Sequence, residues 1–315
     1  MSSDTATAPG SVASAPKKQK KVSDRTKAER KLAWTLCAPA VIAMLLVTAY
    51  PIIYAVVLSL QKLDLRFPDE GGFVGLDNYV TVLSAPLWWE SVFNTVFIAV
   101  VSVAIELVLG IVIALVMFRA PFFRGPVRTT VLIPYGIITV VAAFAWFYAF
   151  DPGSGFVNHL PFVPDDKAWF GDRWTALAVI IAAEVWKTTP FIALLLLAGL
   201  TTIDDGLYEA AKVDGASAWQ RFWKITLPLM KPAILVAVLF RTLDAFRVFD
   251  SIFVMTGGGQ DTESVSIVGY DQLISRVNLG LGSAVSVLIF LMVLLIAFVF
   301  VRGFGTTIPG REKTG

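Results

Sequence analysis

An all-α fold of about six membrane-crossing helices is predicted by three features of the sequence. Hydrophobic residues make up 56% of the 315-residue chain and charged residues only 16%, with a mean hydropathy of +0.72. A surface facing water needs more charge than that. Apolar windows near the ~20 residues that cross a hydrocarbon core fall at 32–60, 92–118, 129–150, 174–200, 233–255 and 281–301. Lysine and arginine, finally, are shared unevenly among the connections between those windows, as in a chain threaded through a membrane.

Residues 1–31 open with Ser, Thr, Ala, Pro and Gly and pass into a basic run, Lys17, Lys18, Lys20, Lys21, Arg25, Lys27, Arg30 and Lys31. That composition buries no core, so a disordered basic tail is expected. The first window is longer than a signal-peptide apolar region and has no small-x-small cleavage site, so it is read as a retained anchor. Pro39 and Pro51 within it predict a kink or an interfacial start. Trp34 and Leu36 stand where a lipoprotein signal carries an aliphatic and a small residue, leaving Cys37 to be read as a buried small apolar side chain. As the lone cysteine, it excludes an internal disulfide and a cysteine metal cluster. His159 has no second imidazole for a zinc site, and a net charge of +2 gives no reason to expect nucleic acid.

Six spans put both termini on one side. With the tail inside, the inner segments hold 18 of the 26 Lys and Arg residues, among them Arg119, Arg124, Arg128, Lys212, Arg221, Lys224, Lys231, Arg302, Arg311 and Lys313. Outer connections hold only Lys62, Arg66, Lys167, Arg173 and Arg276. Cytoplasmic loops retain such an excess, so both ends are expected in the cytoplasm, 305–315 as a short tail. The outer connections, 61–91, 151–173 and 256–280, are instead acidic, with Asp64, Asp69, Glu70, Asp77, Asp151, Asp165, Asp166, Asp172, Asp261, Glu263 and Asp271. They suit the face of an extracytoplasmic protein, and the glycine-rich run from Thr256 to Gln260 allows close approach.

The inner connection 201–231 reads as structure. Leu207, Ala210, Ala211 and Asp214 follow helical spacing after Asp204 or Asp205, either of which suits an N-cap, and Gly215 breaks the pattern. Ser217 suits the cap of a second helix, Ala218 to Thr226, which Pro228 is expected to stop.

Within that loop stand Glu209-Ala210-Ala211, three residues, Gly215, nine residues, then Ile225-Thr226-Leu227-Pro228. This spacing resembles the EAA signature of the permease subunits of binding-protein-dependent ABC importers. Flanking residues are similar to the maltose and glycerol-phosphate type of sugar permease: Trp186, Pro190-Phe191, Leu197-Ala198-Gly199-Leu200, Leu207-Tyr208, Phe222, Phe249-Asp250 and Thr256-Gly257-Gly258-Gly259. Within that branch the type most resembled is that of the mycobacterial trehalose importers. The resemblance covers about 32–304. It departs where Asp204-Asp205 follows Ile203 and where Gln260 stands in place of a common proline. The resemblance implies a type I importer permease fold in the bacterial inner membrane and a second permease, most often a different chain. It also implies two ATP-binding subunits carrying ATP and Mg, a solute-binding lipoprotein, and a sugar cargo, a disaccharide such as trehalose. It assigns ATPase coupling to Glu209, Ala210, Ala211, Gly215, Ile225, Leu227 and Pro228. Small alanines allow close approach, the glutamate offers a charge to the partner, and Leu207, Val213, Phe222 and Ile225 offer apolar anchors. No Gly-x4-Gly-Lys-Ser/Thr phosphate loop, nucleophile elbow or zinc-binding helix is present, so the chain reads as a transport subunit, not an enzyme, with no bound cofactor.

Charges inside apolar windows are costly, at least ~2.5 kcal/mol near the bilayer centre, and therefore mark candidates. Glu184, Trp186, Lys187, Thr188 and Phe191 of the fourth window, with Arg241, Asp244 and Arg247 of the fifth, form the candidate substrate path. The family places substrate contacts on the spans flanking the loop, and hydroxyl-bonding groups beside aromatic faces suit a sugar. Arg241, Asp244 and Arg247 at i, i+3, i+6 would share a helix face; Asp250 lies further out. In the plainer reading Glu184 with Lys187, and Arg241 with Asp244, only neutralise each other between helices. Asn94, Glu106, Tyr135 and Tyr148 are weaker candidates, Glu106 as a partner for another helix and the tyrosines as interfacial residues. Two other functional classes stand against this reading. An ion-coupled secondary carrier would use the paired charges without an ATPase, and an intramembrane enzyme would need a catalytic constellation within a span.

Overall fold

The computed structural model describes residues 24–119, 124–161, 163–164 and 167–304. The expectations for the tail before residue 24, for Asp165 and Asp166, and for the segment 305–315 lie outside the described residues. The chain divides into two compact units, Met1–Ile53 and Tyr54–Gly315.

Helix α1, Asp24–Ser59, begins ahead of Leu32, inside the stretch expected to be tail. Lys27-Ala28-Glu29-Arg30-Lys31 is made of strong helix formers, and the apolar run behind them supplies a helix to extend. Pro39 and Pro51 both lie within it. Cys37 is exposed, contrary to expectation. In a span the lipid-facing surface is open to the bilayer and not to the core, so apolar character does not dictate burial against protein.

In the second unit the first outer connection folds as a small antiparallel hairpin, β1 Gln61–Lys62 with β2 Gly72–Phe73, followed by α2, Asp77–Ser84. Then come α3, Pro86–Arg119, and α4, Arg124–Gly136. Helices α5, Thr139–Ala149, and α6, Arg173–Leu200, follow. The inner loop contributes α7, Asp205–Val213, and α8, Ala218–Arg221. Helix α9, Leu227–Ala245, leads to α10, Asp250–Met255, α11, Val265–Tyr270, and α12, Leu279–Phe304.

Two of the six expected spans differ. The window 129–150 is a broken one: Thr129–Gly136 and Thr139–Ala149 meet at 93°. Pro134 removes an N–H from the first piece, Gly136 ends it, and Ile138 is extended (φ −57°, ψ 133°) at the start of the second. The window 233–255 is shifted inward. Its apolar helical run is Ala218–Ala245, after which the chain breaks and restarts as α10.

Helix α3 packs along α6, and α9 closes against both. Ile98, Leu177, Ile180 and Ile252 fill one core layer, and Met117, Ile192, Leu196 and Met230 a second nearer the inner end. Small residues bring the axes together. A Cβ on Gly110 would meet Ile192 Cγ2 at 2.6 Å, and one on Gly199 would meet Ala233 Cβ at 2.4 Å. Such close backbone approach is how helices gain contact where lipid supplies no hydrophobic drive.

Candidate functional site

The inner loop folds as its residues require. Asp204 caps α7 by accepting the Gly206 N–H at 2.9 Å, and Gly215 turns the chain with φ +78°, a left-handed conformation that costs other residues about 1–2 kcal/mol. Ser217 and Gln220 then form a reciprocal capping box, the Ser217 hydroxyl accepting from the Gln220 N–H at 3.2 Å and Gln220 Oε1 from the Ser217 N–H at 2.8 Å. Contrary to expectation, Pro228 does not stop the second helix. A π-helical turn, Phe222–Thr226, carries α8 directly into α9, and Pro228 falls in the first turn of α9, where a missing N–H is tolerated. Tyr208 clasps the two limbs, its hydroxyl 3.0 Å from that of Thr226. Glu209 and Ala210 are exposed with Gly215, Leu207 and Val213, whereas Ala211, Ile225 and Leu227 are half-buried; Pro228 is exposed. The result is a braced knob that exposes Glu209, Asp205 and Asp214 together with the apolar Leu207 and Val213.

A second constellation lies inside the helical core. Arg241 of α9 is buried, and its guanidinium reaches three carboxylates. Nε donates to Glu106 Oε2 at 2.7 Å and Nη2 to Glu106 Oε1 at 3.0 Å. Nη2 also donates to Glu184 Oε2 at 3.0 Å, and Nη1 to Asp244 Oδ2 at 2.7 Å. Two hydroxyls also donate to these carboxylates. Thr188 donates to Glu106 Oε1 at 2.8 Å and Ser251 to Glu184 Oε1 at 2.5 Å. Helices α3, α6, α9 and α10 are thereby tied at one point, and a planar fork suits this better than an ammonium.

The sequence candidates separate accordingly. Glu184, Thr188, Arg241 and Asp244 come together, and Glu106 joins them from α3 as their main anion. An acid in the middle of the 92–118 window was the signal for it. Lys187 does not pair with Glu184: its ammonium sits over the Tyr135 ring, 5.7 Å from the centroid. Phe191 stacks on the same ring at 5.6 Å, and Trp186 leans on Trp146 at 6.0 Å. Arg247 does not share the face of Arg241 and Asp244, because α9 ends at Ala245; it is exposed. Asp244 is the water-accessible member, its side chain 72% exposed against 2% for Arg241. Tyr148 is exposed.

At the outer end, Asn94 is buried and holds the glycine-rich loop, donating to the carbonyls of Asp261 at 2.8 Å and Glu263 at 2.9 Å while accepting from Arg173 Nη2 at 2.8 Å. Arg66 beside Asp64 lowers that carboxyl to about 2. Burial, with the negative charges of Asp261, Glu90 and Asp271, pushes Glu263 up.

The sequence is matched by a family model. Residues 106–305 fit the binding-protein-dependent transport system inner membrane component. The chain belongs to that family. It is 54% identical over 288 residues to the trehalose transport system permease protein SugA of Mycobacterium tuberculosis, covering 91% of this chain and 93% of the relative. The trehalose/maltose transport system permease protein MalF of Thermococcus litoralis is 41% identical over 278 residues, with 87% and 94% covered. Among solved structures, a chain of a bacterial alginate ABC transporter, bound to a periplasmic protein carrying alginate pentasaccharide, superposes with a TM-score of 0.75. It shares 22% identity, with 90% of this chain and 96% of that one covered, and so shares the fold. The protein is an ABC importer permease subunit of the inner membrane, with the type I fold and several membrane-crossing helices. It is a transport component and not an enzyme.

Proposed function

We propose that the chain translocates a sugar, a disaccharide of the trehalose type, handed over by an extracytoplasmic solute-binding lipoprotein, and that it works beside a second permease and two ATP-binding subunits. The observation that carries the driving half is the braced knob of residues 204–226, which presents Glu209 and the left-handed Gly215 on one exposed surface. Glu209, Ala210, Ala211, Gly215, Ile225, Leu227 and Pro228 are the residues through which motion of the ATPase enters. The likeness to the trehalose permease over nine-tenths of the chain supports the cargo. The excess of lysine and arginine in the inner segments supports cytoplasmic termini.

For the sugar route we infer two roles. Glu106, Glu184, Thr188 and Arg241 are a frame, because their polar atoms are spent on one another. Asp244, Arg247, Trp186, Lys187 and Phe191, at least partly accessible, offer acceptors, donors and ring faces to hydroxyls and pyranose surfaces. The test is co-purification of the transporter, reconstitution, and measurement of ATP hydrolysis and uptake with trehalose and other disaccharides. Sugar-stimulated hydrolysis that Glu209→Lys disconnects from uptake is expected. Sugar accumulation by this chain alone, driven by an ion gradient without ATP, would instead establish a secondary carrier.

A further inference from the structure

The inner end of α3 carries a polar cleft of about 300 Å3 that the driving role does not use. Its walls include Arg119 from α3, Asp205, Tyr208 and Lys212 from α7, Arg221 from α8, and Thr226 from the π turn. Three cations thus face one acid. None of the three is in an ion pair among the described residues. Arg221 spends one N–H on the Ala216 carbonyl and keeps the rest of its fork. The Thr226 hydroxyl donates to the Arg221 carbonyl at 3.4 Å and accepts from the Tyr208 hydroxyl at 3.0 Å, so the free donors of the wall are those of the three cations. A cleft with a surplus of positive charge and free guanidinium and ammonium donors is built for a phosphate-class anion.

Depth in the membrane narrows the source. The apolar span Pro86–Arg119 ends at the cleft, which sets Arg119 at headgroup level. On the neighbouring limb Trp219 and Trp223 are 70% and 50% exposed, with ring centroids 5.6 Å apart. Exposed tryptophans beside a span end belong to the membrane–water interface, and basic pockets between helices at that level take anionic headgroups. We propose that the cleft binds the phosphate of an anionic phospholipid of the inner leaflet. One headgroup would touch α3, α7 and the α8–α9 junction at once, bracing the knob against the span beside it. Its effect on coupling rests on the role proposed above for loop 201–231; the lipid site itself does not.

The assembled transporter, with its partner subunits, is reconstituted in nanodiscs of phosphatidylcholine alone or with phosphatidylglycerol. Retained lipid is read by native mass spectrometry, and sugar transported per ATP in vesicles of the same two compositions. Phosphatidylglycerol retention should fall about fivefold for each cation removed, in Arg119→Gln and Lys212→Gln, with the double variant lowest. Wild-type coupling should rise with phosphatidylglycerol, Arg119→Gln should lose that rise, and inorganic phosphate added to phosphatidylcholine vesicles should not restore it. Equal retention by wild type and the double variant overturns the site even if transport is normal. Phosphate that replaces the lipid fully overturns the lipid assignment in favour of a free anion. Loss of the ATPase subunit from Arg119→Gln in phosphatidylcholine would make the cleft a protein contact and also overturn it. A wild-type complex that retains phosphatidylglycerol through Arg119 but transports no sugar would refute the transport reading and leave the lipid site standing.

Discussion

Replacing Arg241 by methionine tests the buried frame most directly. The side chains of Arg241, Glu106 and Glu184 are 2%, 0% and 10% exposed, so the change strands two carboxylates that no water reaches easily. Breaking a buried pair by removing one partner costs about 3–5 kcal/mol. At about 2–4 °C per kcal/mol for a chain of a few hundred residues, the unfolding midpoint should drop on the order of 10 °C. Tryptophan fluorescence of the assembled transporter in nanodiscs, followed on heating, reads this drop. Arg241→Lys should fall between wild type and Arg241→Met, since one ammonium cannot reproduce the fork that spans Glu106 and Glu184. Arg241→Met combined with Glu106→Gln and Glu184→Gln should regain most of the loss, because neutral groups of similar volume remove the desolvation cost. A midpoint for Arg241→Met within about 2 °C of wild type, well inside that scale, would refute the reasoning. So would a triple variant no better than the single one.

Other outcomes follow from single positions. Gly215→Val, with open space around it but a φ of +78° to hold, should lower sugar moved per ATP while the protein still inserts; Gly215→Asn should be milder. Gly199→Ala should depress detergent stability, as its Cβ would sit 2.4 Å from that of Ala233, and Ala233→Gly should rescue it; failure of that rescue in a melting assay would argue against the α6–α9 contact. Glu263 binds its proton more tightly in the folded protein than in the unfolded one, because burial and three acids raise it. The favourable contribution is therefore present below the ordinary carboxyl value and lost as pH rises through the raised folded value. Melting curves should show Glu263→Gln stabilising at pH 7.5 and near neutral at pH 4, and the reverse order would contradict the assignment.

What could be read in advance follows the range of the forces involved. Caps and turns act over a few residues, so Asp204 or Asp205, Gly215 and Ser217 announce the knob within the sequence itself. Pro134 and Gly136 were local signals of the 93° break, masked by the evenness of hydrophobicity across 129–150. Pro228 reads as a stop because it lacks an N–H, yet the π turn ahead of it places it where no N–H is required. Pairing of charges was the least legible part. Glu184 and Lys187 are neighbours at helical spacing, but the fork of Arg241 reaches Glu184 from another helix and Glu106 from a third. Such partners are set by packing of α3, α6 and α9, which local spacing does not encode.

The π turn Phe222–Thr226 also changes how the residues around it are to be counted. Met230, Ala237 and Arg241 form the buried stripe of α9, and an uninterrupted helix would continue that stripe back through positions 223 and 219. Both are tryptophans, and both are exposed. One extra residue in a turn sets the two sides of it out of phase by roughly 100°, which swings the indoles away from the core and aims the knob independently of the span. Straightening that turn into an uninterrupted α-helix, with no residue lost, would therefore act as a gear change: the tryptophans would rotate inward and Glu209 would be re-aimed relative to the span.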